Sequence, residues 1–138
     1  MKQIFLLISF VSLVAGCTQS EPEFFHSRFV ISRIFDITDT SATIEGKYSS
    51  NRKRDDIVKL GYILSTNIDF DAENNIQVFS SQKDGIITCS VNGLQPDTLY
   101  YVAVYCVYRD KITGGEVYSR SSQYAKDNSF TSFQTLSE

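Results

Sequence analysis

Apolar and polar residues alternate in short runs along most of the chain, and polar turns separate the runs. The clearest run covers residues 42–48, ATIEGKY, in which apolar residues or glycine alternate with Thr43, Glu45 and Lys47. This period of two predicts a β-strand with one buried face and one face in water. No comparable stretch has the period of an amphipathic helix. The pattern therefore predicts an all-β protein.

About seven strands are expected. The first bends where its apolar residues change phase, around Ser32 and Arg33. The last is interrupted by a polar insertion at residues 120–128. The predicted strand segments are residues 29–37, 42–48, 58–64, 76–79, 87–91 and 99–108, followed by a last strand in two parts, 117–119 and 129–135.

The chain is organised around residues 93–108, GLQPDTLYYVAVYCVY. Pro96 has a fixed φ and no N–H group, so it belongs in a turn before the strand. Gly93 gives that turn a permissive backbone, and Leu94 can return to the core. The run that follows Thr98 has no charged residue and is rich in Tyr and Val, which favours a buried strand.

The spacing Leu94-x-Pro96-x-Thr98-x-Tyr100 resembles the corner between strands E and F of a fibronectin type III domain. This resemblance, which covers residues 28–135, implies a Greek-key β-sandwich of the fibronectin type III or immunoglobulin-like class. It also implies that the Tyr100 hydroxyl bonds back to the upstream backbone. The strings GLQPDTLYYVAVY, TDTSATIEGKY and KLGYILSTN are similar to versions found in lipoproteins of Bacteroidetes bacteria.

The N-terminus has the pattern of a lipoprotein signal peptide. Lys2 precedes an apolar run too short to span a membrane, and Val14-Ala15-Gly16-Cys17 resembles a lipobox. We therefore predict a signal peptide at residues 1–16, lipidated Cys17 with a tether at 17–27, and one sandwich domain at 28–138. The protein is then expected in the cell envelope as an outer-membrane lipoprotein, on either the surface or the periplasmic side.

The net charge of −3, without a basic stripe, argues against a nucleic-acid partner. The expected partners are the membrane, through the lipid anchor, and a protein or a glycan. No cofactor is predicted. His26 is the only histidine and precedes the domain, which excludes a histidine-based catalytic triad and a multi-histidine metal site within it.

Cys89 and Cys106 are both predicted to face the core. Export to an oxidising compartment permits a disulfide between them. Alternatively, the two thiols pack as small apolar groups. Their strands are expected in opposite sheets about 10 Å apart, so geometry decides between the alternatives.

Asp69, Asp71 and Glu73 alternate in one loop and form a candidate calcium site, because calcium prefers several carboxylate oxygens. The loop lacks the glycine and the final glutamate of an EF-hand. A solvated acidic loop is the alternative.

Tyr101 and Tyr105 are expected to project together from the outer face of their strand, which makes them a candidate ligand surface. Stacked tyrosines can bind the C–H faces of sugar rings, whereas packing across neighbouring strands is the alternative role.

The sequence as a whole predicts a non-catalytic, lipid-anchored protein that binds a protein or a glycan, or serves as an accessory subunit of a surface complex. One alternative is a dedicated carbohydrate-binding module that uses exposed tyrosines. Another is a purely structural envelope lipoprotein or a small inhibitor.

Overall fold

The computed structural model describes residues 27–50, 56–70, 75–120 and 130–138. The predicted signal peptide, Cys17 and most of the tether lie outside the described residues. Within these ranges the secondary structure consists of strands β1 to β8: Ser27–Phe35, Ala42–Ser50, Ile57–Ser65, Ile76–Ser80, Gly85–Val91, Leu99–Arg109, Glu116–Arg120 and Phe130–Gln134. None of these residues belongs to a helix that could cross a membrane.

The strands form two antiparallel sheets that pack face to face. One sheet has the order β1-β2-β5, and the other has the order β4-β3-β6, with β7 and β8 both paired to the free edge of β6. Consecutive strands therefore change sheets between β2 and β3, between β4 and β5 and between β5 and β6. The predicted all-β sandwich is confirmed.

The strand count of eight exceeds the predicted seven because the last strand is in two pieces. β7 pairs with Tyr105–Arg109, whereas β8 pairs with Leu99–Ala103. β6 has 11 residues and each partner has 5, so both partners fit along one edge. The insertion is predicted at residues 120–128; Arg120 is the last residue of β7, and residues 121–128 lie outside the described part of the chain.

The core lies between the inner faces of the two sheets. Its fully buried large side chains are Tyr62, Ile44, Leu60, Leu64, Ile87, Val91, Val102 and Val107, of which all but Val107 belong to the main cluster between the sheets. Tyr62 spans the sandwich from β3, since its hydroxyl donates a hydrogen bond to the Ile87 carbonyl oxygen on β5 at 2.6 Å. This bond satisfies a polar group that would otherwise be buried at a cost in stability.

The corner that precedes β6 has the expected hydrogen bond between the Tyr100 hydroxyl and the upstream backbone. The Gln95 backbone N–H donates to the Tyr100 hydroxyl at 2.9 Å, and Leu94 is buried. Gly93 has a φ of 73°, a left-handed conformation that glycine adopts without strain. The Thr98 hydroxyl donates to the Pro96 carbonyl oxygen at 2.8 Å, which closes the turn.

The first strand is irregular where its pattern changes phase. The register between β1 and β2 shifts between Ile31 and Arg33, which identifies a β-bulge at Ser32. A second register shift, in the pairing of β3 with β6, lies between Ile57 and Lys59. Ile57 is therefore the buried residue at the start of β3, and Val58 is half-buried.

Candidate functional site

The outer face of the larger sheet has an aromatic cluster of its own. Its buried centre consists of Ile63, Phe70 and Ala103, and the half-buried residues packed around that centre are Tyr101, Tyr105 and Phe130. These positions alternate with core residues along β3 and β6, so they point away from the main core. Apolar side chains therefore occupy both faces of the larger sheet.

Tyr101 lies at the covered end of this face. Its ring stacks on Phe130 with centroids 6.1 Å apart and an interplanar angle of 12°. Phe130 in turn packs edge-on against Phe70 at 5.9 Å. Tyr101 therefore packs across strands, and of its two predicted roles this contact favours packing over ligand binding.

Tyr105 lies at the open end of the same face. Its ring centroid is 5.9 Å from that of Phe79 on β4 and 6.1 Å from that of Tyr118 on β7. Gly61 on β3 separates Phe79 from Tyr105 in the register and has no side chain, so the two rings can meet above it. We call Phe79, Tyr105 and Tyr118 the aromatic surface.

The aromatic surface is accessible to solvent. Tyr118 is 61% exposed and Phe79 is 36% exposed, while Tyr105 is half-buried between them. The outer face of the smaller sheet is different, because its central strand presents Thr43, Glu45 and Lys47. Among the described residues, exposed aromatic rings are thus concentrated on one face of the sandwich, and such patches are typical of binding sites.

Polar groups surround the aromatic surface. The Lys59 ammonium lies 4.9 Å from the centroid of the Phe79 ring, and the Tyr118 hydroxyl donates to Glu116 Oε2 at 3.2 Å. The Arg120 guanidinium donates to the Phe70 carbonyl oxygen at 3.2 Å. Hydrogen-bonding groups beside flat rings can orient a ligand that stacks on them.

Burial raises the pKa of Tyr105, and Tyr118 adds to the rise. Arg120 and a side-chain hydrogen bond with Gln77 oppose it. The Tyr105 phenol is therefore neutral at physiological pH and available for hydrogen bonding.

The sequence pattern does not indicate that Phe79 and Tyr118 belong to the site. Both belong to segments predicted as strands, but their place beside Tyr105 depends on the pairing of β3 with β4 and of β6 with β7. The hairpin between β6 and β7 could have placed Tyr118, because its Gly114-Gly115 turn limits the register. Phe79 had no such local signal.

Cys89 and Cys106 lie on opposite sheets, on β5 and β6, and both contact the main core. They are not joined in a disulfide in the structure. Cys89 pairs with Ile44 in the smaller sheet and Cys106 with Leu60 in the larger one, so each sulfur is placed by a separate ladder. Both thiols are free in the structure, as in the alternative of two packed thiols, and the disulfide stays a prediction.

The free energy of unfolding should decrease at alkaline pH because of the buried Cys89 thiol. Burial raises the pKa of its thiol from 9.0 to about 11, so the unfolded chain loses this proton first and stability declines as pH rises from 9 to 11. Burial also raises the pKa of Tyr62 above its ordinary value of 10.0, which continues the decline at higher pH. Urea unfolding under reducing conditions should show a shallower decline in Cys89→Ala over the first interval. Equal slopes in both proteins would contradict this assignment.

The calcium candidate is only partly described. Asp71 and Glu73 lie outside the described residues, whereas Asp69 is exposed and its backbone N–H bonds to the Asn67 side-chain oxygen at 2.9 Å. Among the described residues, no group of three or more His, Cys, Asp or Glu side chains could hold a metal ion. The calcium site stays a prediction.

A separate cleft of about 430 Å³ opens between the edge strands β1 and β8. Its one charged lining residue is Arg33, which forms an ion pair with Glu45 at 3.1 Å. Because that charge is already paired, the cleft offers weaker ligand chemistry than the aromatic surface.

Solved structures similar to this chain are β-sandwich domains. The sensor domain of the anti-sigma factor RsgI4 from Pseudobacteroides cellulosolvens, in its shorter form, matches with a TM-score of 0.52 and 20% identity over 81% of this chain and 96% of that chain. The solution structure of the same sensor domain matches with a TM-score of 0.56 and 17% identity, covering 81% and 76% of the two chains. No protein-family model and no curated protein matches the chain. At these identities the similarity concerns the fold.

Proposed function

We propose that this protein is a non-catalytic binding domain of the fibronectin type III-like class, anchored to the bacterial cell envelope by a lipid on Cys17, and that its aromatic surface binds a glycan. The observation that carries the binding proposal is Tyr118. Its ring is largely exposed, yet it packs against the ring of Tyr105, with the two centroids 6.1 Å apart.

Stacking on a sugar suits this geometry. Pyranose rings have apolar C–H faces, and a flat, supported aromatic ring presents a matching surface with little side-chain entropy to lose. Phe79 and Tyr118 flank Tyr105, so the surface extends across the four strands β4, β3, β6 and β7 rather than ending at one ring. The RsgI4 domains have the same type of fold and are sensor domains, which is compatible with a binding role for this chain.

Tyr118→Ala is expected to weaken glycan binding by at least tenfold. Truncating an aromatic hot-spot residue of an interface lowers the binding free energy by about 2 kcal/mol or more, and about 1.4 kcal/mol corresponds to a tenfold change in affinity. The mature chain, residues 17–138 with Cys17→Ser, contains every described strand and can be screened in solution against an array of neutral and acidic oligosaccharides.

Ile86→Ala is the matched control for this screen. Ile86 is also 61% exposed but lies on β5, in the other sheet. Its substitution should leave binding unchanged. Equal loss in both variants, or binding that survives Tyr118→Ala, would refute the role of the aromatic surface.

The lipid anchor has its own test. Cells that express the full chain should incorporate an alkyne-labelled fatty acid into the protein, and Cys17→Ala should abolish the label and release the protein from membranes. Labelling that persists in the variant would exclude Cys17 as the anchor.

A further inference from the structure

The charges around the aromatic surface are mostly positive, although the whole chain has a net charge of −3. In the strand register, Lys59 and Tyr118 both lie opposite Val107, and Arg120 lies opposite Tyr105. The side chains of Lys59, Tyr118 and Arg120 are all exposed.

Arg109 follows Val107 by two positions and therefore lies on the same face. Among the described strand residues of this face, Glu116 is the one acidic side chain, against the three cations Lys59, Arg109 and Arg120. The local charge is opposite in sign to that of the whole chain.

The cations are placed where a ligand on Tyr118 would meet them. Lys59 and Tyr118 flank Val107 from opposite sides, and Arg109 pairs with Glu116 two residues before Tyr118. A lysine offers three rotatable donors and an arginine offers a planar fork of donors that fits a carboxylate. Charge-assisted hydrogen bonds to carboxylates are about twice as strong as neutral ones.

We infer that the aromatic surface binds an acidic polysaccharide, whose sugar rings stack on Tyr118 and whose carboxylates contact Lys59 and Arg109. The inference rests on the proposed glycan-binding function and specifies its ligand class. A uronate combines both features that the surface offers, because it has a C–H ring face and a carboxylate on the same ring.

An acidic peptide fits this surface less well. β3 and β6 are interior strands with partners on both sides, so an extended peptide could join the sheet only at the outer edge of β4 or β7 and not over the aromatic surface. Recognition must then come from side chains above the sheet. Asp and Glu side chains bring a carboxylate to them but no rigid apolar ring face.

Titration calorimetry of the mature chain with an oligogalacturonate and with its methyl ester tests the inference. The ester keeps the sugar rings and removes the charge. We expect the acid to bind at least tenfold more tightly than the ester, with affinity that falls as salt is added. Lys59→Gln and Arg109→Gln should each weaken binding of the acid and leave the affinity for the ester unchanged. Lys47→Gln on the smaller sheet should alter neither affinity.

The outcomes separate this inference from the proposal on which it rests. Equal binding of acid and ester, unaffected by the two substitutions, would overturn the acidic ligand and leave glycan binding intact. Binding of polyglutamate as tightly as the oligogalacturonate would overturn the saccharide class. Binding of no member of the oligosaccharide array would overturn the proposed function together with the inference. Unchanged melting temperatures in the variants exclude misfolding as a cause.

Discussion

Replacing Gly61 with alanine is expected to lower the free energy of unfolding by about 3 kcal/mol, the upper part of the usual range for overpacking. A β-carbon at this position would overlap the Val78 carbonyl oxygen and would lie 2.8 Å from the Phe79 α-carbon. Both are backbone atoms of β4, so no side-chain rotation can relieve the overlap. The whole edge strand would have to move away from β3.

The same substitution should weaken ligand binding, since β4 holds Phe79 against Tyr105. Urea unfolding measures the stability, and titration with the ligand identified on the array measures the binding. Gly115→Ala is the matched control, because its β-carbon would meet the Thr113 hydroxyl at 3.3 Å in an exposed loop. The Gly115→Ala substitution should change the free energy of unfolding by no more than about 0.5 kcal/mol. Equal unfolding midpoints for the two variants would disprove the close approach of β3 and β4.

Tyr62→Ala is expected to lower the free energy of unfolding by about 4 kcal/mol, as is usual when an aromatic core residue is replaced by alanine. Tyr62 is fully buried, and its ring packs 5.4 Å from that of Phe29 on the facing sheet. The substitution leaves a cavity between the sheets and also removes the hydrogen bond to Ile87.

Tyr62→Phe separates the two contributions. It keeps the ring and should lower the free energy of unfolding by about 1.5 kcal/mol, because the buried Ile87 carbonyl loses its hydroxyl donor. Tyr118→Phe removes an exposed hydroxyl and should change stability by less than about 0.5 kcal/mol. Should Tyr62→Phe unfold at the wild-type urea concentration, the bond to Ile87 would have no net effect on stability.

Gly46 and Tyr62 depend on each other across the core. A β-carbon on Gly46 would lie 2.5 Å from the Tyr62 hydroxyl oxygen. The glycine therefore makes room for the tyrosine to cross the sandwich. In the sequence, Gly46 fits the alternation of its strand as a small residue, and nothing local indicates which side chain occupies the space beside it.

Local patterns in the sequence are enough to predict the strands and the corner. Alternation along residues 42–48 and the uncharged run before Tyr108 specify strands because a period of two places every second side chain in the core. The corner from Leu94 to Tyr100 is equally local, since Pro96 limits φ and the bond from Gln95 to Tyr100 spans five residues. Such features depend on residues close together in the chain.

The membership of the candidate site depends on how distant strands pair and pack. The sequence places the chemically similar Tyr101 and Tyr105 on the same face of their strand. In the structure, Tyr101 stacks on Phe130. Tyr105 instead packs against Phe79 and Tyr118. The same applies to Cys89 and Cys106, which neighbour the corner in sequence but belong to separate ladders. Strand register is set by the packing of the whole sandwich, and a shift of one residue would reverse every side chain on a strand. The composition of a sheet face is therefore a property of the pairing between distant segments.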